Sequence, residues 1–250
     1  MKKQVLSAAL IVMMVLTLCA CGSSGSSGTA TKGVLVMATN AEFPPYEYKE
    51  GDKIVGIDAE IAEAIAQKIG CKLEIEDIAF DSIIAEVVSG KADIGLAGMT
   101  ITEDRKQSVN FSDPYATSSQ VVIVQEASGI KGLSDLTEDS VIGVQIGTTG
   151  DIYCSDSFQN IERYNKGMEA VQALTQGKID AVVIDSEPAK VFVSENAGLI
   201  ILDESYTDEE YAAAIRKDNT ELLEAVNKAL SELKADGTLD AIVAKYISAN

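Results

Sequence analysis

The sequence predicts an α/β protein built as two lobes, each a mixed, mostly parallel sheet flanked by helices, with two strands crossing between them. Three observations lead there. Short apolar runs alternate with stretches of helical period, the rhythm of βαβ units. The same rhythm starts again after residue 140. Finally, Val88-Ser89-Gly90-Lys91-Ala92-Asp93-Ile94 is echoed by Thr175-Gln176-Gly177-Lys178-Ile179-Asp180-Ala181. Each segment reads as a helix end, a glycine stop, a Lys-x-Asp entry and a strand, which suggests two units of similar build.

The elements follow in order. Val34 to Ala38 is a continuous apolar run and reads as a buried strand. Asp58 to Ile69 reads as a helix, with Ile61, Ala62, Ile65 and Ile69 at helical spacing and Gly70 as its stop. Lys72 to Ile78 alternates as a strand does. Asp81 to Val88 is a helix ended by Gly90, and Ala92 to Gly98 a further strand. In the second unit, Val141 to Ile146 and Ile179 to Ile184 are strands. Gly150 to Phe158, Gly167 to Gln176 and Ser186 to Asn196 are helices. Near the C-terminus, Asp218-Asn219-Thr220-Glu221 resembles a capping box. Leu222, Val226, Leu230 and Leu233 then share one helix face, Gly237 closes it, and Ala241 to Ile247 forms a last helix. Because these helices follow the second unit, the chain must cross twice. Ser119 to Val124 and Tyr211 to Arg216, both free of proline and mostly apolar, are the expected crossings.

The N-terminus is of another kind. Lys2 and Lys3 precede an apolar run from Leu6 to Ala20, the pattern of a signal peptide and too short to span a bilayer comfortably. Leu18-Cys19-Ala20-Cys21-Gly22 resembles a bacterial lipobox, which implies cleavage before Cys21 and a diacylglycerol on its thiol. The Gly/Ser-rich stretch behind it is a flexible tether. The expected organisation is a leader at 1–20, a lipid-bearing tether at 21–33, one lobe at 34–119 plus 216–250, and the other at 120–215. Of the cysteines, Cys71 and Cys154 remain and are expected unpaired.

Composition narrows the chemistry. Twenty Lys and Arg against 39 Asp and Glu give a net charge of −19, which argues against binding nucleic acid. Loss of the leader removes two lysines and no acids, leaving −21. Histidine is absent, so there is no Ser-His-Asp triad and no His-ligated metal. No phosphate-cradling Gly-x-x-x-x-Gly-Lys-Ser/Thr loop occurs. No metal, cofactor or catalytic residue is expected.

Several segments carry a resemblance. Ala38-Thr39-Asn40-Ala41-Glu42-Phe43-Pro44-Pro45-Tyr46 and Val55-Gly56-Ile57-Asp58-Ala59-Glu60-Ile61 resemble the opening motifs of the periplasmic-type amino-acid-binding proteins of ABC importers. Residues Asp93 to Arg105 followed by Phe111-Ser112-Asp113-Pro114-Tyr115 resemble that family's most specific stretch. Ile142 to Gly150 and Asp180 to Asp185 are similar to its second-lobe motifs. The resemblance runs from residue 34 to 249, with the motifs in order.

The resemblance implies a periplasmic-binding-protein fold, a two-lobed flytrap that closes on one amino acid. Arg105 would bind the ligand carboxylate, which suits a guanidinium fork; on position alone it reads as a surface arginine in a charged turn. Asp185 would bind the ammonium, and it also suits a helix N-cap. Thr148 and Thr149 would add hydroxyl and N–H donors to the carboxylate, or simply serve a turn flanked by Gly147 and Gly150. Gly98 and Thr100 would serve the ammonium. Phe43 and Phe80 would sandwich the side chain, with core packing as the alternative. Asn40 stands where relatives selecting cationic side chains carry Asp. Gln145 is a further candidate for the pocket, and Glu42 or Asp81 could add negative charge. A polar or basic amino acid (Arg, Lys or Gln) is the expected ligand.

The expected partners are that amino acid, a membrane permease and, through the lipid, the outer face of the cell membrane; a monomer is expected. A dehydratase or a ligand sensor of the same fold is the alternative, though a carboxylate tied to an ammonium makes a poor base.

Overall fold

The computed structural model describes residues 33–247. The leader, the lipobox with Cys21 and the tether up to Thr31 lie outside the described residues.

Strand β1 (Val34–Thr39) shows why the first layer forms. Its side chains alternate across the sheet. Leu35 and Met37 enter one apolar cluster with Ile57, Ile61 and Ile65, while Val36 and Ala38 enter another with Ile83 and Val87. A strand buried on both faces reads as an unbroken apolar run, as this one does. Helix α1 (Ile57–Ile69) supplies the first cover. Ile57, Ile61 and Ile65 are each fully buried, and Gly70 at φ +77° returns its N–H to the last turn. Full burial of one such side chain contributes about 1.5–3 kcal/mol.

Strand β1 is followed by a small antiparallel meander, β2 (Glu42–Phe43), β3 (Glu47–Glu50) and β4 (Lys53–Val55). After α1 come β5 (Lys72–Asp77), α2 (Ile83–Ser89), β6 (Ile94–Gly95), α3 (Glu103–Ser108) and β7 (Val109–Phe111). The second lobe contains most of β8 (Ala116–Gln125), then β9 (Val141–Gln145), α4 (Thr149–Ser157), β10 (Asn160–Tyr164), α5 (Gly167–Thr175), β11 (Ala181–Asp185), α6 (Ser186–Glu195) and β12 (Leu199–Ile201). Strand β13 (Thr207–Tyr211) leads back to β14 (Ala214–Arg216), α7 (Thr220–Ala235) and α8 (Thr238–Tyr246).

The first sheet has the order β5-β1-β6-β14-β7, the second β10-β9-β11-β8-β12, with β13 also on β8. Parallel pairing holds in one half of each sheet: β1 with β5 and β6, and β9 with β10 and β11. The other half is antiparallel, because strands arriving from the opposite lobe enter it against the βαβ direction.

Several expectations are corrected. The strand expected over Ala92 to Gly98 is regular only at Ile94–Gly95, with the flanking Asp93 and Leu96 N–H groups still bonded to the Val36 and Ala38 carbonyls. Asp93 also accepts the Val36 N–H at 2.8 Å, and the chain beyond leaves the sheet so that the Gly98 N–H reaches Asp58 at 2.8 Å. The first crossing begins earlier than Ser119. Val121 to Val124 already pair with β11, while Ala116 to Gln120 form a two-stranded ribbon with β13. On the return, Ala214–Arg216 already belongs to the first sheet. Residues 218–221 form no reciprocal box. Asn219 caps α7 by accepting the Leu222 N–H at 3.3 Å, and Asp218 pairs with Arg216. The last helix starts at Thr238, directly after Gly237. Cys71 and Cys154 are not bridged.

Candidate functional site

Asn40, Phe43, Phe80, Gly98, Thr100, Arg105, Gln145, Thr148, Thr149 and Asp185 all line one small, tightly closed pocket between the lobes, together with Glu47 and Ala97. Most of these residues sit at strand ends or in the turns that follow, the position at which α/β sheets present groups to a ligand.

Arg105 is held first by its own helix. Thr102, the α3 N-cap, accepts the Arg105 N–H at 3.1 Å. The guanidinium donates through Nη1 to the Thr100 carbonyl at 2.8 Å and through Nη2 to the Gly147 carbonyl at 3.0 Å. The second bond crosses from one lobe to the other. The guanidinium also lies over the Phe80 ring at 5.4 Å. Arg105 is buried, which excludes the surface-turn reading. Burial pulls its pKa down, but a guanidinium stays charged.

Asp185 ends β11 and occupies the N-cap position of α6, yet its side chain caps nothing. It accepts the hydroxyl of Tyr211 instead. Burial, and then the nearby Glu209 carboxylate, push its pKa up to about 7. A buried carboxylate in this state is poised for a cation.

The two threonines divide. Thr148 caps α4, accepting the Asp151 N–H at 3.3 Å and donating to the Gln145 carbonyl at 2.8 Å, so its hydroxyl is committed to the turn. Thr149 accepts from Gln120 at 3.2 Å and keeps its own hydrogen to give. Thr100 donates to Glu209 at 2.9 Å. Gly98 is needed where it stands. Its φ is +52°, and a Cβ there would come within 2.8 Å of the Phe43 ring.

Both rings line the pocket, in different surroundings. Phe43 is buried and stacks on Tyr46 at 5.9 Å, whereas Phe80 is half-buried beneath Arg105. At the far end, Gln145 donates to Asn40 Oδ1 at 2.9 Å, a second bond across the cleft. Glu42 pairs with Lys166 across the rim, which takes it out of the cavity. Asp81 is exposed and touches the turn at Gly147 rather than lining the space.

Glu47 is not among the residues that the sequence motifs single out, although it follows one of them directly. It is fully buried, lines the cavity, and neither carboxylate oxygen has a hydrogen-bond donor. Behind the lining, Asp58 accepts from the Gly98 N–H and from the Tyr115 hydroxyl at 2.7 Å. Gln120 bridges Thr149 to Glu209, at 3.2 and 3.0 Å. Gln120 and Glu209 lie on the crossing ribbon, and no motif connects that ribbon with the cavity. Among the described residues no cluster of acids and cysteines has the arrangement of a metal site.

Comparison with known proteins agrees with this geometry. A family model described as bacterial extracellular solute-binding proteins, family 3, matches residues 35–249. The arginine-binding extracellular protein ArtP of Bacillus subtilis is 37% identical over 238 residues, covering 92% of each chain. An ancestral arginine-binding protein solved with arginine is 42% identical with a TM-score of 0.81, over 86% of this chain and 99% of that one. An ancestral amino-acid-binding protein described as a precursor of cyclohexadienyl dehydratase is 35% identical with a TM-score of 0.80, over 87% and 96%. The match to two-lobed binding-protein structures extends over nearly the whole described chain.

Proposed function

The chain belongs to family 3 of the bacterial extracellular solute-binding proteins, and from that premise we propose that it captures a basic amino acid between its lobes. It would deliver this cargo to a membrane permease of an ABC importer while held at the membrane by a lipid on Cys21. The relatives named above are binding proteins, and one of them was solved with arginine.

The observation that carries the ligand class is Glu47. The cavity is lined by one cation, Arg105, and two acids, Asp185 and Glu47. A neutral amino acid offers a carboxylate to Arg105 and an ammonium to Asp185, and brings no cation to the second acid, Glu47. An arginine or lysine brings a second cation. A lining with one more acid than cations complements a ligand that carries one more cation than a neutral amino acid does, so the basic side chain is the better complement. This sharpens the wider class of Arg, Lys or Gln.

Calorimetric titration of the purified protein with the twenty amino acids tests the reading. Arginine or lysine should bind with micromolar or tighter affinity, about −8 kcal/mol. Binding confined to Leu, Val and Ile, or to Asp and Glu, would overturn it.

A further inference from the structure

Glu47 of β3 and Asp58 of α1 are both fully buried, and the Asp58 N–H donates to the carbonyl of Tyr46, the residue before Glu47, at 2.8 Å, which holds the two acids in one neighbourhood behind the pocket. Their surroundings differ. Asp58 Oδ2 receives two donors, the Gly98 N–H at 2.8 Å and the Tyr115 hydroxyl at 2.7 Å. Glu47 receives none. Two neighbouring carboxyl groups can bond each other only through a proton, and two adjacent buried charges of one sign are strongly disfavoured. The donors mark Asp58 as the ionised acceptor. The proton therefore sits on Glu47, on the carboxyl that lines the cavity.

We infer that Glu47 and Asp58 share one proton in the empty site, and that a cationic ligand side chain expels it. The pair would thereby set the balance between cationic and neutral amino acids according to pH. The inference rests on the proposed amino-acid capture and adds the regulation of that same site. In the exchange, the Glu47 O–H bond breaks, the proton passes to solvent, and the carboxylate left behind pairs with the guanidinium or ammonium. A neutral side chain leaves the proton in place.

The other titratable groups facing Glu47 do not supply the missing charge. Tyr46 beside it and Tyr115 behind Asp58 are neutral phenols, held so by burial and by these same acids. Asp185 approaches from the end of β11 and only adds to the repulsion. Arg105 lines the same cavity, but its fork is bonded to Thr100 and Gly147. Burial, and then Asp58, hold Glu47 well above the usual carboxylate range, in keeping with the shared proton.

The test compares L-arginine with L-citrulline, its neutral isostere, on the full mature protein. Titrations run from pH 5.5 to 8.5 in buffers of different ionisation enthalpy. Because both ligands present the same ammonium to Asp185, any proton exchanged there cancels. Arginine should release close to one proton more than citrulline near pH 7. The arginine-to-citrulline affinity ratio should fall by up to tenfold per pH unit as the pH drops. In Glu47→Gln the extra proton and the slope of the ratio should both vanish. Should citrulline bind too weakly to titrate, the arginine titration of Glu47→Gln becomes the reference for counting. Equal proton release by both ligands, or a ratio independent of pH, would overturn the shared proton while leaving amino-acid capture intact. Absence of binding by arginine and lysine at every pH would overturn the functional reading itself.

Discussion

Arg105 donates to the main-chain carbonyl of Gly147 at 3.0 Å, so the side chain expected to hold a ligand also ties one lobe to the other. A carboxylate entering the cavity would compete with the Gly147 and Thr100 carbonyls for that fork. On the proposed reading, closure and ligand binding would draw on the same donors, which would couple binding to shape.

Arg105→Lys should weaken amino-acid binding by about 2–3 kcal/mol. Lysine keeps the charge but has no planar fork and cannot hold Thr100, Gly147 and a carboxylate together. Titration calorimetry measures the loss. A change smaller than about threefold would remove Arg105 from the carboxylate role.

Binding should weaken in acid. With Asp185 at about 7, most copies are protonated at pH 6 and must lose that proton to pair with an ammonium. One proton taken up per site lowers the apparent affinity by up to about tenfold per pH unit below 7. Affinities measured between pH 5.5 and 8 would show the slope, and a flat profile would refute the pairing.

Stability of the ligand-free protein should move the opposite way. An acid raised from about 4 when unfolded to about 7 when folded stabilises fully below pH 4. That contribution is lost as the pH rises through 7. Asp185→Asn removes the titration. The variant should gain on the parent in thermal unfolding between pH 4 and 8, by at most about 1.4 kcal/mol for each pH unit separating the folded and unfolded values. It should also bind ligand far more weakly. A constant difference in Tm across this range would show that Asp185 does not titrate there.

Gly98→Ala should cost about 1–2 kcal/mol, since the added Cβ meets the Phe43 ring and the backbone is held at positive φ. Denaturant unfolding reads this directly. An unchanged midpoint would mean that the turn relaxes freely.

Cys21→Ser should abolish incorporation of a labelled fatty acid and release the protein from the membrane fraction. Persistent labelling would place the lipid elsewhere.

Much of the site is legible in the sequence because its residues fall in short motifs at strand ends, where local chemistry and family resemblance coincide. Asn40, Arg105 and Asp185 are accessible in this way. Glu47 is not, because a glutamate in a short hairpin ordinarily faces water. Only the packing of β3 against α1 buries it beside Asp58. The true start of the crossing is hidden for a related reason. Val121 to Val124 and Ala116 to Gln120 both have the composition of extended chain, and only their partners separate sheet from ribbon.

What the sequence determined by itself was the succession of strands and helices, the α/β class and the family, since apolar period and glycine stops act over a few residues. The tertiary structure alone decided which polar groups share one enclosed space and which are left there without partners. Thr148 is spent on a helix cap, Glu42 on the rim, and Glu47 on neither. Burial and the supply of donors are set by segments distant in the chain, so no local pattern records them.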